Sequence, residues 1–145
     1  MTERQKALSA LQRLRVFQEA HGEYVKCISC GKVVHVSEAD GGHYENRRNR
    51  ATELLPENIH AQCRACNRFH EGNVIAYRHG LVARYGEEYV NRLDNIILAS
   101  KGSDEAYNRL CDEDKRLIVM RKNDLEYKEL AKDYRKQLRQ IKESL

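Results

Sequence analysis

Two pairs of cysteines constrain this chain more than any other feature of its sequence. Each pair has the spacing Cys-x-x-Cys, Cys27 with Cys30 and Cys63 with Cys66. Four thiolates in this arrangement form a closed tetrahedral site for a structural zinc ion. The segment between the pairs, residues 31–62, is rich in His, Asp, Asn and Arg and is too polar to form a hydrophobic core. We therefore expect a polar segment that a zinc ion holds in place.

The composition and the expected cellular compartment together favour a zinc site over disulfides. The chain has 145 residues, 33% of them charged and 7% aromatic, which predicts one domain, or one domain with helical extensions, with a modest core. No signal-peptide-like apolar segment and no membrane-spanning run is visible, so we expect a cytoplasmic protein with reduced thiols and no membrane partner. The fifth cysteine, Cys111, is expected to be a small buried residue in a helix.

Apolar periodicity predicts mainly helices. Residues 3–20 and 87–99 show helical spacing, as does the stretch from Cys66 to Arg78 with possible breaks at Gly72 and Gly80. Residues 105–143 are predicted to be a long helical stretch broken near residue 112. Short strands are predicted at 33–36 and 58–62, with a turn at 40–44 and a basic loop at 45–57. The sequence thus predicts an α+β protein that is mostly helical, with an N-terminal helix (1–22), a zinc-clamped core (23–80) and a helical C-terminal extension (81–145).

The C-terminal helix has two alternative roles. Met120, Tyr127, Tyr134 and Ile141 lie seven residues apart, but polar residues interrupt the companion positions of this heptad pattern. The helix could pack on its own domain, for example on the N-terminal helix, or it could form a contact in a homodimer. The pattern does not choose between these roles.

Three polar residues near the cysteines have the chemistry of a hydrolytic site. His43 follows two glycines, Asp40 lies three residues before it, and Asn67 directly follows the last paired cysteine. A carboxylate and an amide oxygen suit a hard cation such as Mg²⁺, and a neutral His can take the proton of an attacking water. Singly, each could be a turn or helix-capping residue. Together they favour metal-assisted hydrolysis of a phosphodiester bond.

Basic residues flank these three positions. The net charge is +4 and the isoelectric point is near 8.8, which is compatible with nucleic acid as a partner. A solvated basic surface is the alternative explanation for these side chains. The candidate contacts to DNA phosphates are Arg47, Arg48, Arg50, Arg64, Arg68 and Arg78.

Four stretches carry a resemblance to a known family: CISCG, DGGHY followed by Arg47 or Arg48, ENIHAQCRACNR, and GNVIAYRHGL. Over residues 10–95 they resemble the zinc-clamped HNH (ββα-metal) endonucleases, and more closely the phage NinG/Rap family of recombination endonucleases. An Asn directly after the last zinc cysteine is also similar to phage endonuclease VII. The resemblance implies a small ββα-metal core flanked by N- and C-terminal helices.

The resemblance also implies roles for individual residues. His43 would be the general base, and Asn58 would brace the loop that holds it. Asp40 and Asn67 would be ligands of a catalytic Mg²⁺ or Mn²⁺. Three further residues could line the site, with the last two as weaker candidates for the metal: His60, His70 and Glu71.

We therefore expect a metal-dependent DNA endonuclease that acts on branched or Holliday-junction DNA in phage recombination, with a homodimer as its expected assembly. Branch preference comes from the resemblance alone. One alternative is a non-catalytic, zinc-containing DNA-binding module that uses the same arginines. Another is a protein-interaction module that presents the C-terminal helix to a partner. Neither alternative gives His43 and Asn67 a chemical role.

Overall fold

The computed structural model describes residues 1–145 and contains six α-helices and two small antiparallel sheets. In chain order the elements are α1 (Glu3–Glu19), β1 (Tyr24–Lys26), β2 (Val33–His35), β3 (Ala39–His43), β4 (Ile59–Cys63), α2 (Val74–Tyr85), α3 (Glu87–Ser100), α4 (Asp104–Asn108), α5 (Asp112–Val119) and α6 (Asp124–Glu143). The prediction of an α+β, mostly helical protein is confirmed. No helix combines the length and the apolar character needed to cross a membrane.

Helix α1 begins at a capping box. The side chain of Thr2 accepts a hydrogen bond from the backbone N–H of Gln5, and the side chain of Gln5 accepts one from the N–H of Thr2. The predicted helix at 3–20 is confirmed to within one residue. Its apolar stripe is buried, and the members are Ala7, Leu8, Leu11, Leu14, Val16 and Phe17.

Helix α6 packs along α1. Ala7 shares one apolar cluster with Tyr127 and Ala131. A second cluster joins the two helices through Leu11, Leu14, Tyr134, Leu138 and Ile141. Packing on its own chain, the first role considered for this helix, is therefore observed, and the homodimer contact stays a prediction.

Each sheet is a pair of strands. β1 and β2 form a hairpin in which Val25 lies opposite Val34. β3 and β4 pair so that Asp40 lies opposite Gln62 and His43 opposite Ile59. The strands predicted at 33–36 and 58–62 are confirmed to within a residue, but the turn predicted at 40–44 is wrong, because most of it is strand β3.

Two glycines allow β3 to lie close to its neighbours. A Cβ atom on Gly41 would lie 2.3 Å from the backbone oxygen of Gln12 in α1. A Cβ atom on Gly42 would lie 1.8 Å from Oε1 of Gln62 in β4. The consecutive glycines therefore serve close packing rather than a turn, because any side chain would push α1 and Gln62 away.

The second half of the chain has more breaks than its periodicity predicts. The stretch after Cys66 forms one π-helical turn (Ala65–Phe69) and resumes as α2 only at Val74. The predicted 105–143 stretch is divided into α4, α5 and α6, with breaks before α5 and before α6. The burial expected for Cys111 is wrong, because this cysteine is exposed at the start of α5.

The apolar core is split into small clusters, as expected for so polar a chain. The largest joins Val16 and Phe17 of α1 to the two sheets and to three of the paired cysteines. α1 and the sheets thus share one core. The proposed division at residues 22 and 80 stays a prediction.

Candidate metal centre and candidate active site

The four paired cysteines converge on one point. Their Sγ atoms all lie within 4.8 Å of one another, and those of Cys30 and Cys63 are 3.7 Å apart. Four sulfurs bound to one zinc at about 2.3 Å in a tetrahedron would be separated by about 3.8 Å. The cysteines are unbridged, and three of them are buried. Cys27, Cys30, Cys63 and Cys66 could therefore hold a structural metal ion such as zinc, as the spacing predicts.

Local backbone geometry builds this cluster. Gly31, at φ +78°, closes the turn after Cys30, and its N–H donates to the carbonyl of Cys27. The N–H of Ile28 donates to Ala61 of β4, which brings the first cysteine pair beside the second. Burial raises the pKa of the Cys66 thiol to about 12 in the metal-free chain. Since metals bind thiolates, an ion at this site would release protons on binding.

His43 ends strand β3 and is held by one hydrogen bond. Its Nε2 atom lies 2.9 Å from the backbone carbonyl oxygen of Glu53, and its Nδ1 atom has no partner within the protein. The pKa of His43 is lowered, chiefly because burial disfavours the charged ring, and the cations of Arg47 and Arg4 act in the same direction. The Glu53 carbonyl opposes this shift. His43 is thus a fixed, mainly neutral imidazole at neutral pH.

A cavity of about 430 Å³ opens beside His43. Asn67 and Glu71 reach it from the π-helical turn and the loop that follows. Arg47 and Arg48 line it from the loop after β3, and neither forms an ion pair with a carboxylate in the structure. The cavity therefore combines a neutral imidazole, two side chains whose oxygen atoms could bind a cation, and two arginines without ion-pair partners. We call it the His43 cavity.

Asp40 lies in a neighbouring cavity of about 310 Å³, which Asn67 also lines. The Asn67 side chain donates to Oδ2 of Asp40 at 3.0 Å, and Arg68 donates to both carboxylate oxygens at 2.9 and 3.0 Å. Burial acts to raise the pKa of Asp40, but the Arg68 and Asn67 hydrogen bonds outweigh it and lower the pKa. Asp40 and Asn67 are thus in contact, with the Arg68 guanidinium where a cation would bind.

Asn58 is fully buried and ties the ends of the loop between β3 and β4 together. Its Oδ1 accepts from the N–H of Glu45 at 2.8 Å, and its Nδ2 donates to the carbonyls of Glu45 and Thr52 at 3.0 and 3.2 Å. This is the geometry of a brace. Asn58 acts on the loop that holds His43 and does not itself line the His43 cavity.

The other predicted arginines lie in different places. Arg64 donates to the carbonyl of Ser37 at 2.6 Å. Arg68 pairs with Asp40, and Arg78 pairs with Asp94 at 2.9 Å, so the charges of these two arginines are compensated within the protein. Arg50 donates to the hydroxyl of Tyr127 and faces a different cavity.

Two predicted histidines do not join the site. His60 is fully buried, with Nδ1 beside the carboxylate of Glu19 and Nε2 3.0 Å from the carbonyl of Glu57. Its role is to join β4 to the surrounding helices. His70 is exposed and lines a cavity at the cysteine cluster, because the chain leaves the helix before it. Glu71 lies in a loop at φ +51° and lines the His43 cavity from there.

Sequence reasoning missed a buried network behind His43. The carboxylate of Glu53 is 1% exposed and accepts hydrogen bonds from Arg4 of α1 and Tyr127 of α6. The same residue's carbonyl holds the His43 ring. Gln12 of α1 was also missed, although it lines the cavities at both Asp40 and His43. No local spacing signals either residue, because the partners lie far apart in sequence.

Comparison with known proteins gives one consistent result. A profile described as "Bacteriophage Lambda NinG protein" matches residues 1–144. The "Protein ninG" of Escherichia phage lambda is 34% identical over 92 residues, which cover 59% of this chain and 42% of that protein. The "Protein ninG" of Salmonella phage P22 is 33% identical over 92 residues, with the same coverage. The matched region therefore spans less than half the length of these relatives. No solved structure matches the chain significantly.

Proposed function

The chain belongs to the NinG family, and from this premise we propose that it is a metal-dependent DNA endonuclease with His43 as the general base. The substrate we propose is branched DNA of the kind formed in phage recombination. The family match confirms the NinG part of the resemblance. The HNH (ββα-metal) assignment, the catalysis and the substrate are the proposal.

The observation that carries this proposal is the His43 cavity. A neutral imidazole with a free Nδ1 atom faces the same space as Asn67, Glu71 and two cations without acid partners. A hydrolase for a phosphodiester needs a base, oxygen ligands for a cation, and positive charge for the phosphate. A purely structural histidine would need neither oxygen ligands for a cation nor free arginines beside it.

Each residue near the His43 cavity has a separate role in the proposed hydrolysis. The Glu53 carbonyl accepts a hydrogen bond from the Nε2–H of His43, which leaves Nδ1 as the basic nitrogen. Nδ1 would take a proton from a water that attacks the phosphorus atom. Arg47 and Arg48 would hold the non-bridging phosphate oxygens and orient the scissile bond. Asn58 would keep the loop that carries these arginines in position.

Asp40 and Asn67 are the residues proposed to bind the divalent ion, with Glu71 on the other side of Asn67. Asp40 and Asn67 are in contact, and Asn67 also faces His43. Carboxylate and amide oxygens match the preference of Mg²⁺ or Mn²⁺. When bound, such an ion would stabilise the charge that develops on the phosphate and its leaving oxygen. The Arg68 guanidinium would have to move away from Asp40 to admit it.

One observation favours the alternative of a non-catalytic, zinc-containing DNA-binding module. The four cysteines are the only group of three or more His, Cys, Asp or Glu residues whose ligand atoms converge. The carboxylate of Asp40 is also fully engaged by Arg68 and Asn67. On this alternative, the arginines bind phosphates and His43 serves only to hold the loop.

The experiment is cleavage of a labelled four-way DNA junction and of a linear duplex with matched sequence. Wild type and His43→Ala are compared in Mg²⁺, in Mn²⁺ and in buffer with neither ion and no chelator, so that a zinc ion at the cysteine cluster is kept. Lys132→Ala, an exposed change on α6, is the control for handling and purity. We expect cutting that needs the added ion, is lost in His43→Ala and is stronger on the junction.

Folding and DNA binding of each variant are measured beside cleavage, by circular dichroism and by anisotropy. A folded, DNA-binding wild type that cuts neither substrate in either metal would overturn the nuclease proposal and leave the DNA-binding module. Equal cutting of both substrates would overturn the preference for branched DNA alone.

A further inference from the structure

A second cavity lies on the other edge of the loop that carries Arg47 and Arg48. Its volume is about 680 Å³, larger than that of the His43 cavity. The walls come from three separate parts of the chain: loop residues 45–51, the end of α3, and the end of α5 with the segment that leads to α6. This size lies within the range of cavities that bind small ligands.

The rim of this cavity is positively charged. Arg48, Arg50, Lys101 and Arg121 all line it. The one carboxylate present, Glu45, lies 2.9 Å from the Lys101 ammonium and is therefore used by that residue. Arg48 and Arg121 form no ion pair. The cavity thus has uncompensated positive charge and should attract an anion such as a phosphate.

Part of the wall is apolar. Leu117 and Ile118 of α5 are half-buried and meet Ala51 of the loop, which is buried. Met120 lies at the edge with 63% of its surface exposed, directly before Arg121. A ligand that fits both the apolar part of the wall and the rim has an apolar surface and a negative charge. A nucleotide has this combination, and base contact with apolar side chains tolerates any sequence.

Arg48 connects this cavity to the proposed site of cleavage, because it lines both. We propose that the cavity binds an unpaired nucleotide of a DNA strand whose backbone continues past Arg48 to His43. Bases within a duplex are stacked and cannot enter such a cavity, whereas a base in a single-stranded flap, or one that unpairs at a branch point, is free to do so. This inference rests on the proposed function and names the feature of the substrate that would give branch preference.

The test measures binding by fluorescence anisotropy in buffer without Mg²⁺, Mn²⁺ or chelator, so that cleavage is suppressed and a zinc ion at the cysteine cluster is kept. The probes are a labelled duplex and the same duplex with a single-stranded thymidine flap. Arg121→Gln removes a rim cation, and Met120→Ala removes an apolar contact; both residues are exposed, so both variants should fold. Arg135→Gln on α6 is the matched control, since it makes the same change of charge at an exposed residue outside the cavity.

We expect wild type to bind the flap DNA more tightly than the duplex. Arg121→Gln should reduce this preference severalfold. It should also make the negative slope of log affinity against log salt concentration less steep by about 0.7, the value for one phosphate contact on a single strand. Met120→Ala should reduce the preference without changing the slope, because an apolar contact releases no counterion. Arg135→Gln should leave the preference at the wild-type value.

Three results would overturn the inference. Arg121→Gln could weaken flap and duplex binding equally, which would make Arg121 an ordinary backbone contact. Arg135→Gln could reduce the preference as much as Arg121→Gln does. Free dTMP could displace the flap DNA as well as a flap oligonucleotide does, which would indicate a site for free nucleotides. Binding is measured without Mg²⁺ or Mn²⁺. Absence of cleavage in the other experiment would therefore overturn the nuclease proposal and leave this binding result unaffected.

Discussion

The Nε2 atom of His43 lies 2.9 Å from the backbone carbonyl oxygen of Glu53. A carbonyl oxygen can only accept, so the neutral ring carries its proton on Nε2 and keeps its basic lone pair on Nδ1. The Glu53 side chain is itself fixed by Arg4 of α1 and Tyr127 of α6. The orientation of the proposed base therefore depends on both terminal helices.

The pH dependence of cleavage should report the lowered pKa of His43. The neutral ring is the base, and burial lowers its pKa below the ordinary value of 6.5, so the base stays active to a lower pH than a solvated His would. We expect single-turnover rates that are level at pH values well above the His43 pKa and fall by about tenfold per pH unit below it. Arg47→Gln removes a cation that lowers this pKa and should move the inflection upward. An inflection above pH 6.5 in wild type would contradict the assignment.

Tyr127→Phe should destabilise the protein and slow cleavage. The change leaves one oxygen of the buried Glu53 carboxylate without its Tyr127 donor, which should lower the free energy of unfolding by about 1–3 kcal/mol in urea titrations. Tyr134→Phe is the matched control on the same helix, because its hydroxyl makes no hydrogen bond; we expect a loss below about 0.5 kcal/mol. Equal losses in the two variants would show that the network contributes nothing.

Arg68→Gln should lower the Mg²⁺ concentration needed for half-maximal cleavage. Arg68 donates to both oxygens of Asp40 and would compete with a divalent ion for this carboxylate. The measurement is cleavage rate against Mg²⁺ at saturating DNA, with a severalfold decrease expected. Arg135→Gln is the control, since that exposed arginine lies on α6 and forms no ion pair with Asp40. An unchanged or higher Mg²⁺ requirement would argue against Asp40 as a ligand.

Loss of the metal at the cysteine cluster should unfold the region around both sheets. Cys66→Ser removes one of four converging sulfurs within the largest apolar cluster, and structural zinc sites supply folding free energy directly. We expect wild type to contain one zinc per chain, and Cys66→Ser to lose it together with most of its thermal stability. Cys111→Ser changes an exposed cysteine outside the cluster and should keep both. Metal analysis and circular dichroism distinguish these outcomes, and a stable, metal-free Cys66→Ser protein would contradict the prediction.

Several features could be predicted because their physical cause is local. The two Cys-x-x-Cys spacings predict a shared metal site, and the four Sγ atoms do converge. The stripe of α1 follows from helical periodicity, and its start follows from the Thr2–Gln5 capping box. Features of this kind depend only on residues that are close together in the chain, so the amino-acid sequence alone is sufficient to predict them.

Gly41 and Gly42 show a case in which prediction from local sequence fails. Consecutive glycines favour a turn by conformational freedom, yet Gly41 and Gly42 lie in a strand because α1 and Gln62 approach too closely for a side chain. Likewise, His60 has the residue type of a site but is buried beside Glu19. Conformational preference and residue type were visible in the sequence, and the neighbours that override them were not.

The sequence by itself determined the cysteine cluster, the helical character and the set of polar residues from which a site could be built. Only the tertiary structure decided that Arg68 binds Asp40, that His43 is held by Glu53, and that Asn58 does not face the His43 cavity. The physical reason is distance along the chain. These contacts join residues brought together by packing of α1, α6 and the sheets, and hydrogen bonds and charges act over a few ångströms in space regardless of sequence separation.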